Sequence, residues 1–225
     1  MTQPTPPSDP RMSLLLKWLA TLDPNIGLQI QSLAPASSDA SFRRYFRIQA
    51  RSGTLIVMDA PPPHENCRPF VDIAARLSQV KLNVPAILAQ DLEQGFLLLS
   101  DLGPTTYYAK IQQGLTDAEL QPLYRDALAA LVQLQTANHA GLPAYDAKRL
   151  KDELGLFVEW YVTVHCKTQL EPAVLQQLDQ VFDLLVAHNA AQPIVLVHRD
   201  FHSPNLMLSE GSQYGINPGV LDFQD

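Results

Sequence analysis

Apolar side chains in the first hundred residues recur with two different periods. Spacings of three and four predict a helix that begins at Asp9-Pro10, where aspartate can cap the first turn and proline suits the first helical position. The same spacings predict a second helix over 68–80. Alternating or short apolar runs predict strands at 42–48, 54–58, 86–90 and 96–99. The first half of the chain is therefore predicted to form a small antiparallel sheet with packed helices.

Helical spacing dominates the second half of the chain. Thr116 and Glu119 have the spacing of a capping box ahead of a segment with helical periodicity. Further helices are predicted at 117–138, 150–164 and 173–188, and strands around Leu196 and Val220. We therefore predict an α+β fold with two lobes, which follow a disordered leader at 1–10. The first lobe, at 11–101, is β-rich, and the second, at 102–225, is mainly helical.

Composition and charge narrow the class of protein. The chain has 225 residues, of which 46% are hydrophobic and 17% charged, and a formal net charge of -7. That balance argues against a general nucleic-acid binder, which would carry a basic face. Cys67 and Cys166 form no CxxC pair, so we expect a reducing compartment, the cytoplasm. No apolar run approaches the roughly 20 residues that a membrane span needs.

The segment Leu196–Met207, LVHRDFHSPNLM, carries the strongest chemical signal. It contains the pattern H-R-D-x-x-x-x-N, and Asp222 follows 17 residues after Asn205. In phosphoryl transfer, a carboxylate such as Asp200 can accept the proton of an acceptor hydroxyl. Oxygen ligands such as those of Asn205 and Asp222 suit Mg²⁺. His198 is better interpreted as an anchor for the loop.

Other interpretations of this segment are weaker. His198 and His202 could be imagined as zinc ligands, but Pro204 argues against the helical pair that this would need. An HRD triplet alone is often only a turn. The correctly spaced Asn205 and a downstream Asp-Phe pair make the complete set much more specific.

The chain resembles the aminoglycoside phosphotransferase/choline kinase group, which has the bilobal protein-kinase-like fold and phosphorylates small molecules with ATP. More narrowly, it resembles bacterial anomeric N-acetylmuramate/N-acetylglucosamine kinases of peptidoglycan recycling. The matching stretches are SDASFRRYFRI, LIVMDAPP, ENCRPFVDIA, GFLLLSDLG, LFVEWYV, LVHRDFHSPNLM and PGVLDFQD. They extend from residue 38 to residue 225.

The resemblance implies a role for each matching position. Asp200 would be the catalytic base, and Asn205 and Asp222 would bind magnesium. Ser38 and Ser41 lie where relatives place a loop that covers the phosphates. Ser100 and Leu102 lie where a hinge would contact adenine through its backbone. ATP and Mg²⁺ are the cofactors that this assignment implies.

The sequence departs from the family pattern in two ways. Met58 occupies the position of the lysine that binds the α- and β-phosphates, so another group must supply the charge. Arg43, Arg44 and Arg47 are the nearest basic candidates, and we assign Arg44 to the nucleotide site, although a solvated strand face would look the same. The chain also ends three residues after Asp222, and we expect the C-terminal lobe to be truncated.

The acceptor is the least determined part of the function. Glu159 and Trp160 lie where relatives often contact the acceptor, and a carboxylate and an aromatic ring suit a sugar, but an amphipathic packing helix fits them equally well. The first expectation is an amino sugar. Another small alcohol, such as an aminoglycoside or choline, and a non-catalytic nucleotide-binding module are the alternatives. We expect no nucleic-acid or membrane partner, and the sequence leaves the oligomeric state open.

Overall fold

The computed structural model describes residues 9–37, 42–62, 64–209 and 216–223. The helices are α1 (Pro10–Thr21), α2 (Cys67–Gln79), α3 (Tyr107–Ile111), α4 (Asp117–Leu134), α5 (Ala147–Leu156) and α6 (Pro172–Ala190). The strands are β1 (Gln29–Ser37), β2 (Arg44–Ala50), β3 (Gly53–Asp59), β4 (Ile87–Asp91), β5 (Phe96–Ser100), β6 (Leu206–Met207) and β7 (Gly219–Val220). The α+β class predicted from the sequence is confirmed.

Five of the strands form one antiparallel sheet in the order β1-β2-β3-β5-β4. The hairpin of β2 and β3 has the register Arg44↔Asp59 and Phe46↔Val57, so even-numbered residues of β2 share a face with odd-numbered residues of β3. This face packs against α1. Its core consists of Leu15, Trp18, Leu19, Phe46, Ile48, Ala50, Leu55, Val57, Phe96 and Leu98.

The other face of the sheet carries Tyr45 and Arg47 from β2 and Met58 from β3, with Tyr45 directly opposite Met58. Met58 in turn lies opposite Leu97 of β5. The Met58 side chain is only 1% exposed. This second face, which we call the Met58 face, is therefore apolar at the very position where the resemblance implies a lysine.

A network of charges fixes the start of α1 to the face of the sheet that α1 covers. Asp9 caps the helix as predicted, since its carboxylate accepts from the backbone N–H groups of Arg11 and Met12. The fully buried Asp59 accepts from Arg11 at 2.7 Å and from Arg44 at 2.5 Å, and Arg44 also reaches Asp9. Apart from Asp9 and Pro10, the predicted leader lies outside the described residues.

The predicted helices of this part of the chain are confirmed with small shifts of their ends. α2 begins after Asn66, whose side chain accepts from the N–H of Arg68, and it buries the apolar positions that gave the pattern: Phe70, Ile73, Ala74 and Leu77. The Thr116–Glu119 capping box forms at the start of α4. Two elements, β1 and α3, are present that the pattern did not predict.

Contacts divide the chain into two compact units. The first comprises 1–137 and 198–225, and the second comprises 138–197. The segment from His198 onward, which carries the H-R-D-x-x-x-x-N pattern, therefore belongs to the same unit as the five-stranded sheet. The boundary between lobes at residue 101 remains a prediction.

The second unit is helical. The predicted helix at 150–164 is α5 followed by a π-helix, Phe157–His165, in which hydrogen bonding shifts to the wider i→i+5 pattern. Lys151 of α5 bridges Asp179 and Asp183 of α6. The second unit has few buried apolar residues: Val162, Phe182, Val186 and Leu196.

The late strands differ in part from the prediction. The prediction of a strand around Leu196 is wrong, because no strand forms there and Ile194 is 82% exposed. The strand around Val220 is confirmed as β7, and it pairs with β6 in a short hairpin with Leu206 opposite Val220. Within the described residues, no helix is long and apolar enough to cross a membrane.

Candidate active site

The loop that precedes β6 is anchored through a buried histidine. His198 is buried, and its Nε2 lies 2.9 Å from the carbonyl oxygen of Leu221, which is the residue before Asp222. Burial lowers the pKa of His198, although the Leu221 carbonyl and the carboxylates of Asp222 and Asp200 work in the opposite direction. The imidazole is therefore neutral near pH 7, and its Nε2–H can donate to the Leu221 carbonyl. This contact agrees with the anchoring role predicted for His198.

Asn205 brings the predicted metal ligands together. Its Nδ2 donates to the backbone oxygen of Asp200 at 3.1 Å and to Oδ2 of Asp222 at 3.4 Å. The N–H of Leu221 also donates to the carbonyl of Asn205 at 2.9 Å. The sequence positions 200, 205 and 222 therefore converge on one exposed edge of the β6–β7 hairpin.

The donor atoms of this edge suit a magnesium ion. Because Nδ2 of Asn205 holds Asp200 and Asp222, the amide directs its other polar atom, Oδ1, away from these contacts as a neutral oxygen ligand. Mg²⁺ is commonly held by one or two carboxylates together with substrate phosphates, and it keeps several waters. No group of three His, Cys, Asp or Glu side chains suited to a metal occurs among the described residues. One carboxylate and one amide oxygen, from Asp222 and Asn205, are a donor set that fits Mg²⁺ when phosphate oxygens and waters complete its coordination.

Two residues of the site have an unusual backbone. Arg199 has φ 71° and Asp222 has φ 58°, in the left-handed region that side chains with a Cβ rarely adopt. Each such residue costs on the order of 1–3 kcal/mol, and it persists only where the surroundings hold it. Both are adjacent to residues fixed by the His198–Leu221 contact, so strain is retained next to Asp200 and within the metal set.

Aromatic and backbone contacts fix the hairpin to the rest of the first unit. Phe223, next to Asp222, stacks on Phe70 of α2 with ring centroids 5.1 Å apart. The N–H of Val220 donates to the carbonyl of Asn83, and the N–H of Leu208 donates to the carbonyl of Thr105. The position of Asp222 is thereby tied to α2, to the segment before β4 and to the segment before α3.

The predicted hinge is held closely by neighbouring segments. The N–H of Ser100 donates to the carbonyl of Ala86, and the N–H of Ala86 donates to the Ser100 hydroxyl. The carbonyl of Leu102 accepts from the hydroxyl of Ser209 at 3.2 Å. A Cβ added to Gly219 would lie 2.9 Å from Cδ1 of Leu102 and from the Ser209 hydroxyl, so only glycine allows this approach. Adenine recognition by Ser100 and Leu102 remains a prediction.

An ion pair that the sequence pattern did not indicate lies beside the hinge. Arg47 donates to both carboxylate oxygens of Asp101, at 2.6 and 3.1 Å, and to the carbonyl of Gly103 at 3.1 Å. Burial by itself would raise the pKa of Asp101, but hydrogen bonds from Arg47, Thr54 and the N–H of Gly103 outweigh it and lower that pKa. Asp101 is therefore a charged anchor that connects the hinge to β2. In the sequence, only the alternation of side chains along β2 could have indicated this ion pair, because the alternation places Arg47 on the Met58 face.

No contact ties the remaining predicted residues to this cluster among the contacts described here for Arg44, Glu159 and Trp160. Arg44 lies on the face that α1 covers, paired with Asp9 and Asp59. Ser38 and Ser41 lie outside the described residues. Glu159 and Trp160 belong to the π-helix of the second unit, where Trp160 is 58% exposed. A role for each of these residues in nucleotide or acceptor binding remains a prediction.

Comparison with known proteins places this site in a family. The model of the phosphotransferase enzyme family, abbreviated APH, matches residues 32–225, which is most of the chain. The chain belongs to this family. An N-acetylmuramate/N-acetylglucosamine kinase of Pseudomonas aeruginosa is 53% identical over 194 residues, which cover 86% of this chain and 55% of that protein. The protein of the same name from Neisseria meningitidis is 39% identical over 217 residues, covering 96% of this chain and 62% of the relative.

Solved structures show the same fold for this member of the phosphotransferase family. The ADP-bound aminoglycoside phosphotransferase APH(2'')-Ib has a TM-score of 0.59 at 16% identity, over 96% of this chain and 70% of that one. A choline kinase from Cryptosporidium parvum has a TM-score of 0.53 at 12% identity, over 95% and 64%. The protein-kinase-like fold predicted from the sequence is therefore confirmed. The chain spans little more than half the length of the Pseudomonas relative.

Proposed function

We propose that the protein is an ATP-dependent kinase that phosphorylates the anomeric hydroxyl of N-acetylmuramate or N-acetylglucosamine. The observation that carries the reaction type is the convergence of Asp200, Asn205 and Asp222 at the edge of the β6–β7 hairpin. The sugar class is supported by relatives named N-acetylmuramate/N-acetylglucosamine kinase at 53% and 49% identity. Peptidoglycan recycling is the process in which such a kinase would act.

In this reaction the sugar oxygen forms a bond to the γ-phosphorus of ATP, and the bond to the bridging oxygen of ADP breaks. Asp200 accepts the proton of the sugar hydroxyl, since it is exposed and fixed through its own carbonyl by Asn205. Its carboxylate thus serves to orient the nucleophile and to remove the proton. The rest of the site positions the two substrates.

Asn205 and Asp222 would hold Mg²⁺, which neutralises charge on the phosphates when it is bound. Their own contribution is to present oxygens of opposite character, one neutral and one anionic, from two segments tied by the Leu221–Asn205 hydrogen bond. The nucleotide assignment is supported by solved structures of the same fold that contain ADP or ATP. We further propose a cytoplasmic location, because the reaction consumes ATP.

The test is ATP-dependent phosphorylation of a panel containing N-acetylmuramate, N-acetylglucosamine, kanamycin and choline, with the Pseudomonas aeruginosa relative as a matched reference. We expect a sugar 1-phosphate, identified by ³¹P NMR, and dependence on Mg²⁺. Phosphorylation of kanamycin or choline alone would replace the sugar assignment with another small alcohol. ADP binding without transfer to any acceptor would favour a nucleotide-binding module.

A further inference from the structure

We propose that Arg43, held by Glu65, supplies the positive charge to the nucleotide phosphates that the family pattern assigns to a lysine at position 58. This inference deepens the proposed function and rests on it for the identity of the ligand as ATP. It selects one of the three arginines at the start of the sheet and adds Glu65 as its positioning residue.

A cation from the protein is needed because negative charge develops on the transferred phosphate group, and magnesium and the protein together must stabilise it. Met58 cannot contribute, since its side chain is apolar and only 1% exposed. The charge must therefore come from a neighbouring residue on the Met58 face of the sheet.

Arg43 directly precedes β2, and its guanidinium interacts with Tyr45 of that face. Tyr45 is paired across the strands with Met58. Arg44, one residue on, lies on the opposite face with Asp59, because successive side chains of a strand alternate. A difference of one position thus separates the arginine that can reach the site from the one that holds α1.

Glu65 fixes the direction of the Arg43 side chain. Nε and Nη2 of Arg43 each lie 3.0 Å from Oε2 of Glu65, and the two side chains are each 13% exposed. A guanidinium carries five N–H donors in a rigid fork, so it can hold a carboxylate and a phosphate together. A buried, paired arginine is pre-organised for such a contact, whereas an exposed one would have to be ordered when the ligand binds.

Arg43 lies at the start of the β2–β3 hairpin, as the last residue before β2 begins at Arg44. Arg47, on the same face, is four residues further along, or about 13 Å at the usual rise of a strand. Arg47 is held there by Asp101 and Gly103 at the hinge. In the proposed site, Arg47 lies toward the hinge and Arg43 toward the phosphates.

One helix links this cation to the metal set. Glu65 precedes α2 by two residues, and Phe70 of α2 stacks on Phe223, the neighbour of Asp222. The arginine and the aspartate are therefore positioned from the same short segment, as the binding of one nucleotide with its metal requires.

The experiment compares the affinity for ADP with the affinity for adenosine by isothermal titration. Arg43→Ala should raise the Kd of ADP by about 10- to 100-fold, the range expected for losing a hydrogen-bonded charge. The Kd of adenosine should stay within about twofold. Arg43→Lys should recover part of the loss, and Glu65→Gln should weaken ADP binding less than Arg43→Ala. Arg68→Ala is the matched control, because Arg68 pairs with Glu93 near the same helix but is exposed.

Unchanged ADP affinity in Arg43→Ala would overturn the inference, and so would an equal loss for ADP and adenosine, which would indicate a damaged fold. The two proposals fail separately. If the natural protein binds ADP through Arg43 but phosphorylates no sugar, only the proposed function is lost. If Arg43→Ala phosphorylates the sugar with normal ADP affinity, only the present inference is lost.

Discussion

The buried imidazole of His198 makes the geometry of the loop depend on pH. Its Nε2 holds the Leu221 carbonyl, and Asp222 follows with a left-handed backbone. Because burial lowers its pKa, protonation of His198 opposes the folded arrangement. The folded arrangement of the 198–205 loop is therefore most stable when His198 is neutral.

We expect the free energy of unfolding to decrease as the pH falls below about 6.5. In the unfolded chain His198 takes up a proton near its ordinary pKa of 6.5, whereas in the folded chain the pKa is lower, so acid favours unfolding until the folded value is passed. Urea unfolding at several pH values above about 5.5 isolates this effect, because the carboxyl groups with lowered pKa, among them Glu119 with an ordinary value of 4.5, remain ionised there in both states. His198→Gln should reduce the dependence, while His139→Gln, an exposed control, should keep it.

Asp200→Asn should lower kcat by about 10²- to 10⁴-fold, because it removes the proton acceptor and retains the shape of the side chain. ADP affinity should stay the same, since Asp200 contacts Asn205 through its backbone. Asp72→Asn, an exposed change on α2, serves as the control. Steady-state kinetics that showed normal kcat in Asp200→Asn would remove Asp200 from the mechanism.

At the scale of elements, helices were predicted most accurately from their periodicity, and strands were predicted least accurately. The positions Phe70, Ile73, Ala74 and Leu77 are all buried, because an amphipathic helix has one apolar stripe that the sequence shows directly. β1 was not predicted, since Pro35 and Ser32 interrupt its pattern and it lies at the edge of the sheet. The run around Leu196 looks like a strand but has no partner strand, which only tertiary structure reveals.

The candidate site was predictable where it depends on spacing, and less so where it depends on register. His198, Asp200, Asn205 and Asp222 follow a fixed spacing, and the structure brings them together. The choice between Arg43 and Arg44 depends on which face of β2 each occupies. A shift of one residue exchanges the faces, so an ambiguous strand start leaves this choice open.

Asp59→Ala should destabilise the first unit by about 3 kcal/mol, because it leaves Arg11 and Arg44 without the buried carboxylate that they share. Both guanidinium groups are partly exposed and can turn toward water, which keeps the loss at the lower end of the usual range for a broken buried pair. Urea denaturation measures the change. Asp72→Ala, which breaks the exposed pair with Arg76, should cost less than about 1 kcal/mol. Equal effects of the two substitutions would contradict a structural role for the Asp59 network.

At the scale of the whole molecule, burial is distributed unevenly between the two units. The large side chains that are fully buried among the described residues all lie in the first unit, and they include Phe96, Leu98 and Val220. The second unit buries four apolar residues, and it exposes many others along α6 and the π-helix. Local stability follows the number of buried apolar contacts, so the two units should open with different free energies.

Hydrogen exchange measured by mass spectrometry should reveal this difference. Amides of α5 and α6 should exchange well before those of β3 and β5, whose residues carry most of the sheet core. Amides of α1 serve as the reference for a helix that packs on the sheet. Equal protection of α6 and β5 would mean that the chain opens as one cooperative unit.

The close approach at Gly219 also limits how related sequences can diverge. Here β7, the strand that precedes Asp222, touches the Leu102 side chain and the Ser209 hydroxyl with no room for a Cβ. A larger residue at 219 becomes acceptable only if Leu102 and the Ser209 hydroxyl both give way. Positions 102 and 219, 117 residues apart, should therefore change together across evolution, and their covariation would couple the residue at 102 to the geometry of the β6–β7 hairpin.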